Sequence, residues 1–498
     1  MAKYLKLFET HTNYETYING NDAVKPNVSY CEDVNDVHFN PFSWADEYFT
    51  TVVLENGTLT FTPKNSNVIS YSTDGGETWT EGNSVEVNNG DNVMWKGAMI
   101  PQSSNGIGKF SSTCNFNIQG NIMSLLFSDD FKNQISIEGK DYSFYSLFSD
   151  TTKLISAENL ILPATTLTQN CYSNMFSGCT SLTTAPELPA ITLAQNCYRN
   201  MFKSCTSLTT APELPATTLG YYCYYSMFYG CTSLTTAPAL PATTLASGCY
   251  DGMFYNCTSL TTAPQLSATT LAQYCYQYMF YGCTGLTSAP ELPATTLDQN
   301  CYEYMFYGCT GLTSAHELPA TTLAQNCYQY MFYSCTSLTT APALPATTLA
   351  SGCYQYMFYG CTSLTTAPTL PATTLANYCY QYMFYGCTSL TTAPALPATT
   401  LANFCYRGMF SNCTSLTTAP ELPAITLVSN CYTIMFSGCT ILNYIKAMFT
   451  TEPSTTYTQN WVSGVAASGT FVKNSAATWT TTGVNGVPTG WTVQTASA

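Results

Sequence analysis

From Cys171 to Cys431 a cysteine returns every 26 residues, eleven times in succession, with no insertion in the series. The stretch from Cys379 to Ala402, CYQYMFYGCTSLTTAPALPATTLA, is nearly repeated at Cys353, Cys327 and Cys301. A fixed period of this length leaves few architectures open. Each copy is one turn of a coil that buries its apolar face only against its neighbours, so the repeat is itself the fold.

Numbered 1 to 26 from its first cysteine, a copy carries Cys at 1, Met at 5, Phe at 6, Cys at 9, and Leu at 12, 18 and 23. Leu193, Cys197, Met201 and Cys205 follow one another at steps of four, a spacing that predicts one face of a short helix. The Pro-Ala-Thr-Thr before it offers Thr as an N-cap, and the Gly that commonly precedes the second cysteine suits its end. The following SLTTA is β-compatible, but Pro at 16 and 19 limits any ladder to a short strand. The expected fold is an α/β solenoid of the leucine-rich-repeat kind, one short parallel strand and one short helix per turn. Its ladder would be roughly 50 Å long.

The pattern MFxGCTSL…LP…L…CY is similar to the BspA-type leucine-rich repeat of bacterial surface proteins. There an Ala-Phe pair, a Cys, spaced Leu and Ile and a following Pro recur at about 23 residues. Met-Phe stands here for Ala-Phe, and Ala with Pro stands where Ile is usual. The resemblance covers about 171–440 and implies a fold more than a function.

The chain has 24 cysteines, 22 of them in the copies, with Cys31 and Cys114 outside. Eight residues of helix would hold the two thiols of a copy roughly 12 Å apart, beyond disulfide reach. A helical side would also spread neighbouring turns. Zinc is disfavoured by the spacing and by the absence of accompanying histidines. Buried, reduced thiols acting as small apolar filler are expected, and no metal or cofactor.

The net charge is −15, but the first 160 residues hold 20 acids and 9 bases, whereas 171–440 holds 8 and 3. A long neutral surface without basic clusters argues against nucleic acid, and no apolar run is long enough for membrane insertion. MAKYLKLFETHTNYETY lacks the apolar core of a secretory signal. The segment up to about Pro41 resembles leading segments of virion proteins of phages infecting Bacteroidales, which need no export signal. Residues 1–45 are therefore expected to attach the chain to other virion proteins. Residues 46–120, with β-runs parted by Asn-Gly, Asp-Gly-Gly and Asn-Asn-Gly, read as hairpins of a small Ig-like β-sandwich. Residues 121–170 read as degenerate cap repeats, 171–440 as the solenoid, and 441–498 as a C-terminal cap and β tail. In TYTQNWVSG, Tyr457, Trp461 and Val465 align with the repeat's Leu, Cys and Met.

Catalytic constellations fail. Ser72 to Trp79, STDGGETW, resembles the Asp-box of sialidase propellers, where it is a structural turn; those enzymes also need three arginines, and this chain has only Arg199 and Arg407. His11, His38 and His316 have no nucleophile motif beside them. Glu187, Glu213, Glu291, Glu317 and Glu421 recur at position 17, but Ala239, Gln265, Ala343, Thr369 and Ala395 fill the same place elsewhere. The expected protein is not an enzyme.

Position 2 is Tyr in every copy, beside the core stripe. Positions 4 and 7 point away from it. Position 7 is Tyr in seven successive copies (Tyr229, Tyr255, Tyr281, Tyr307, Tyr333, Tyr359, Tyr385), and position 4 in five (Tyr278, Tyr304, Tyr330, Tyr356, Tyr382). This mid-array band offers ring faces and hydroxyls to sugar rings or to a protein; the alternative is that the tyrosines only pack on each other. Thr at 13 and 14 are adjacent, so a strand would turn one column outward and one inward. The expected function is a phage fibre or appendage, possible as a homo-oligomer such as a trimer, that contacts a host surface protein or glycan through the solenoid and resides in the virion. A BspA-like adhesin on a bacterial cell surface is the alternative, and a carbohydrate-active enzyme the third reading.

Overall fold

A computed structural model describes residues 46–496 except Asn65, Ser103 and Ser104. The expected attachment segment 1–45, with His11, Cys31 and His38, lies outside the described residues.

Eight strands open the described chain: β1 (Phe49–Val53), β2 (Gly57–Pro63), β3 (Ser70–Ser72), β4 (Thr80–Glu81), β5 (Ser84–Val87), β6 (Asn92–Lys96), β7 (Gly108–Ser112) and β8 (Phe116–Asn121). A ninth, β9 (Leu154–Ile161), completes a sheet of order β4-β3-β6-β1-β8-β9, while β5-β2-β7 forms a second. Phe49 and Trp95 from the first sheet pack on Phe110 from the second, each pair with ring centroids 5.3 Å apart. Of the three expected hairpins only that between β3 and β4 forms, with Ser70 opposite Glu81. The other turns carry the chain from one sheet to the other. The last pairing, β8 with β9, is parallel. Ser156 of β9 then bridges to Thr184 of the first full copy, so the first sheet runs directly into the coils.

The expected helix is absent. No helix occurs among the described residues from 171 to 440; the segment from position 26 of one copy through position 8 of the next is a string of four-residue turns. Every fourth residue, at positions 26, 4 and 8, has positive φ: Asn170, Asn174 and Gly178 at 56°, 56° and 77° in the first copy. Odd-numbered amides bond three residues back, as Met279 N to Tyr276 O at 3.3 Å and Tyr281 N to Tyr278 O at 3.1 Å. Even-numbered amides bond the next coil, as Tyr276 N to Cys301 O (3.0 Å), Tyr278 N to Glu303 O (3.0 Å) and Phe280 N to Met305 O (2.9 Å). A helix would close all of these bonds within one segment. The turn string satisfies half of them locally and spends the other half on stacking the coils, which accounts for the backbone polar groups.

The expected strand shrinks as well. Thr210 to Thr236 to Thr262 and Thr340 to Thr366 to Thr392 are single parallel bridges at position 14, and position 22 forms a second set, Thr166 to Thr192 to Thr218. The prolines at 16 and 19 remove the donors a longer ladder would need. The backbone bends there, and the Thr and Ser side chains at 13 and 14 face solvent from the second copy to the tenth.

Positions 1, 2, 5, 6, 9 and 12 are buried in all copies. Phe at 6 stacks from coil to coil, with centroids from 5.5 Å (Phe176 to Phe202) to 5.9 Å (Phe410 to Phe436). Tyr at 2 stacks likewise, from 5.6 Å (Tyr302 to Tyr328) to 6.0 Å (Tyr406 to Tyr432). At the leading end Phe144 and Phe148 occupy the places of Tyr and Phe, stacked on Tyr172 and Phe176. At the other end the register differs from expectation by one four-residue turn. Tyr432 N bonds Tyr457 O and Phe436 N bonds Trp461 O, so Tyr457 stands in the place of the first cysteine and Trp461 in that of Met. Trp461 is wholly buried and its indole N–H donates to Gly486 O. Parallel strands β10 (Tyr444–Ala447), β11 (Thr470–Lys473) and β12 (Thr492–Thr495) close the coil.

Candidate functional site: the tyrosine band

The four-residue turn decides where the tyrosines go. Position 4 is the left-handed residue of its turn, a conformation natural to Gly and Asn. Copies near the ends place Asn174, Asn200 and Gly252 there. Five central copies place Tyr278, Tyr304, Tyr330, Tyr356 and Tyr382 there instead, at φ between 54° and 58°. A bulky residue held so costs on the order of 1–3 kcal/mol. Ring stacking offsets much of that, at roughly 0.5–1.5 kcal/mol per pair.

The stacking is regular. In the position-4 column, centroids lie 4.7, 4.4, 4.6 and 4.9 Å apart from Tyr278 to Tyr382. In the position-7 column, Tyr229, Tyr255, Tyr281, Tyr307, Tyr333, Tyr359 and Tyr385 follow at 4.3 to 4.6 Å. The columns touch at a tilt, as Tyr304 and Tyr307 do at 5.8 Å. All twelve rings are half-buried. Their faces are covered by one another, so the band presents ring edges and hydroxyls rather than the ring faces expected from the sequence. Burial pushes the phenols of Tyr281, Tyr307 and Tyr333 above the usual tyrosine range, so they remain protonated near neutrality, able both to donate and to accept.

Next to the band, position 3 forms a polar spine. Gln329 donates to Gln355 and Gln355 to Gln381, both at 2.6 Å, and Gln277 donates to the Glu303 carboxylate at 2.5 Å. Glu303 also accepts from Asn300 at 2.6 Å. Asp251, 8 % exposed, sits in the same column. Burial raises its carboxyl to about 8 against the pull of Arg199, and Glu303 pushes it further up.

The array's three cations lie at the margins of the band. The Arg199 guanidinium lies 4.4 Å from the Tyr225 ring centre, and the Lys203 ammonium 4.9 Å over Tyr229, which begins the position-7 column. Arg407 approaches Tyr382, the last ring of the position-4 column, at 5.8 Å. Gly408 leaves room for that ring: a Cβ there would come within 2.4 Å of it, and φ is +62°. Sequence reasoning missed both the spine and the cation placement. The signal was present in the run Arg199, Tyr225, Asp251, Gln277, Glu303, Gln329 at a single repeat position.

The sulfurs are interior. All 23 described cysteines are free and buried. The second thiol of each copy donates to the Phe carbonyl of the preceding coil, as Cys309 Sγ to Phe280 O at 3.0 Å and Cys335 Sγ to Phe306 O at 3.1 Å. Amide hydrogen bonds join successive coils on this side, as Phe280 N to Met305 O at 2.9 Å, in place of the spreading expected of packed helices. Burial raises Cys309 and Cys361 to about 12, which removes the reactive thiolate. A thiol-reactive disulfide reagent is therefore expected to label none of these 23 in the native protein and all of them in denaturant. Labelling of array cysteines without unfolding would contradict the structure.

The remaining sequence candidates lie elsewhere. Glu187, Glu213, Glu291, Glu317 and Glu421 are exposed on the proline-bounded stretch, as is His316. A cleft of about 300 Å³ between Thr366–Pro371 and Thr392–Pro397 is lined only by Thr, Ala, Pro and Leu. The Asp-box is a braced hairpin: Ser72 Oγ donates to Asp74 at 2.7 Å, and Thr78 N donates to the same carboxylate at 3.0 Å. No group of three or more potential metal ligands occurs among the described residues. No helix among them is long and apolar enough to cross a membrane.

This geometry defines a repeat solenoid with a lateral aromatic band. The BspA type leucine rich repeat region matches in overlapping segments, 136–261, 199–339, 250–391 and 327–458. The chain belongs to that family. No curated protein matches it. Among solved structures it is similar to the TLR13–ssRNA13 complex at 12 % identity and a TM-score of 0.24, over 67 % of this chain and 48 % of that one. The chain thus spans about half the length of that neighbour.

Proposed function

We propose that this chain is a non-enzymatic adhesion protein whose solenoid is a rigid display surface, and that residues 1–45 fix it to a phage particle as a fibre or appendage. The observation that carries the adhesion reading is the tyrosine band: twelve half-exposed rings in two columns, five of them in a strained conformation, on an array with few charges. Family membership supports surface contact; the virion placement rests on the resemblance of the leading segment. The family match favours a BspA-like adhesin of a bacterial cell surface equally, and that is the second reading.

Changing Tyr281, Tyr307 and Tyr333 together to Ser is expected to lower whole-cell binding at least tenfold with the thermal midpoint still that of a folded array. Undiminished binding would remove the band from the contact surface. Proteomics of purified particles, set against protease shaving of intact bacteria, separates the two locations.

A further inference from the structure

We infer that the tyrosine band takes a neutral, linear polysaccharide laid along the array and held by phenol hydroxyls and ring edges; this rests on the contact reading above. Three observations select that ligand. First, ring faces are consumed by stacking at 4.3 to 4.9 Å, so a partner that needs a bare aromatic face finds none within the columns. What remains is a ladder of hydroxyls, each able to donate and accept, next to a spine of Gln side chains and Glu303. That surface matches a partner dense in hydroxyl groups.

Second, no Lys or Arg occurs between Lys203 and Arg407, and those two are engaged with rings at the margins of the band. An anionic chain would meet no cation along the band, and the protein's net charge of −15 repels it. Third, the band is periodic. The same pair of tyrosines returns in each of five coils, so a polymer that repeats its own hydroxyls can repeat one weak contact many times. Linked weak contacts add through effective concentration. The globular surface of a protein partner has no such period.

The test uses the full chain titrated by calorimetry with a soluble linear β-glucan, a linear mannan and, as anionic control, a polyuronate. At least one neutral polymer is expected to bind, with affinity rising with chain length, and the polyuronate is expected not to bind. Changing Tyr304, Tyr307, Tyr330 and Tyr333 to Phe keeps the stacks and removes the hydroxyls; affinity is expected to fall at least tenfold with an unchanged thermal midpoint. Equal binding by the Phe variant, or preference for the polyuronate, overturns the inference. Tyrosine-dependent cell adhesion without binding to either neutral polymer also overturns it, while leaving the contact reading standing.

Discussion

Phe306→Ala in the middle of the array is expected to cost about 3–5 kcal/mol and to uncouple the two halves. Phe306 is fully buried, stacked between Phe280 and Phe332 at 5.6 and 5.5 Å, and its carbonyl accepts the Cys335 thiol. Its loss opens a cavity that neither neighbour can fill, because each is fixed by its own stack. In a quasi-one-dimensional array, stability is a sum of coil terms and neighbour interfaces. One broken interface therefore splits a single unfolding transition into two. A denaturant melt that stays single, with a midpoint near the parent's, would show that the aromatic core does not couple the coils.

Asp251→Asn is expected to stabilise the protein, increasingly so as pH rises. The folded carboxyl titrates near 8 and the unfolded one near 3.8. Between those values the folded state holds a proton that the unfolded state releases, so folding stability falls as pH climbs through the window. The full difference corresponds to roughly 4–6 kcal/mol, fully present below the lower value and lost above the upper one. The groups that set it are Arg199, which favours the carboxylate, and Glu303, which opposes it; burial outweighs both. Melts across the window should show a declining midpoint in the parent and a flatter profile in the Asn variant. Parallel profiles would mean that Asp251 is solvated.

Much of the architecture was legible because the repeat is strict: a coil stacked on its neighbours, sulfurs inside and Tyr at position 2 buried. The helix was misread because Leu193, Cys197, Met201 and Cys205 are four apart. A helix of 3.6 residues per turn drifts away from a strict spacing of four, whereas a four-residue turn keeps it. The distinguishing mark lay in the end copies, where Asn170, Asn174 and Gly178, then Asn196, Asn200 and Ser204, place residues tolerant of the left-handed region at the same interval. In the central copies Tyr274 and Tyr278 hide it, because nothing in a tyrosine advertises positive φ. The same misreading affected the site. On a helix, positions 4 and 7 would radiate outward with free ring faces; on flat stacked turns they align in register and cover one another. The shift of Trp461 by one turn follows from the constant step of 26, which places Tyr457 one repeat after Cys431.

Flat rings in register form a stack that can lengthen wherever a terminal face lies bare, through any aromatic that another molecule brings to it. Lys203 and Arg407 stand over two such terminal faces, and a charged, hydrated group makes a poor template for a further ring. The columns thus end inside the array, with coils continuing past Lys203 and Arg407, so the extent of the stacked band is set by the protein's own sequence.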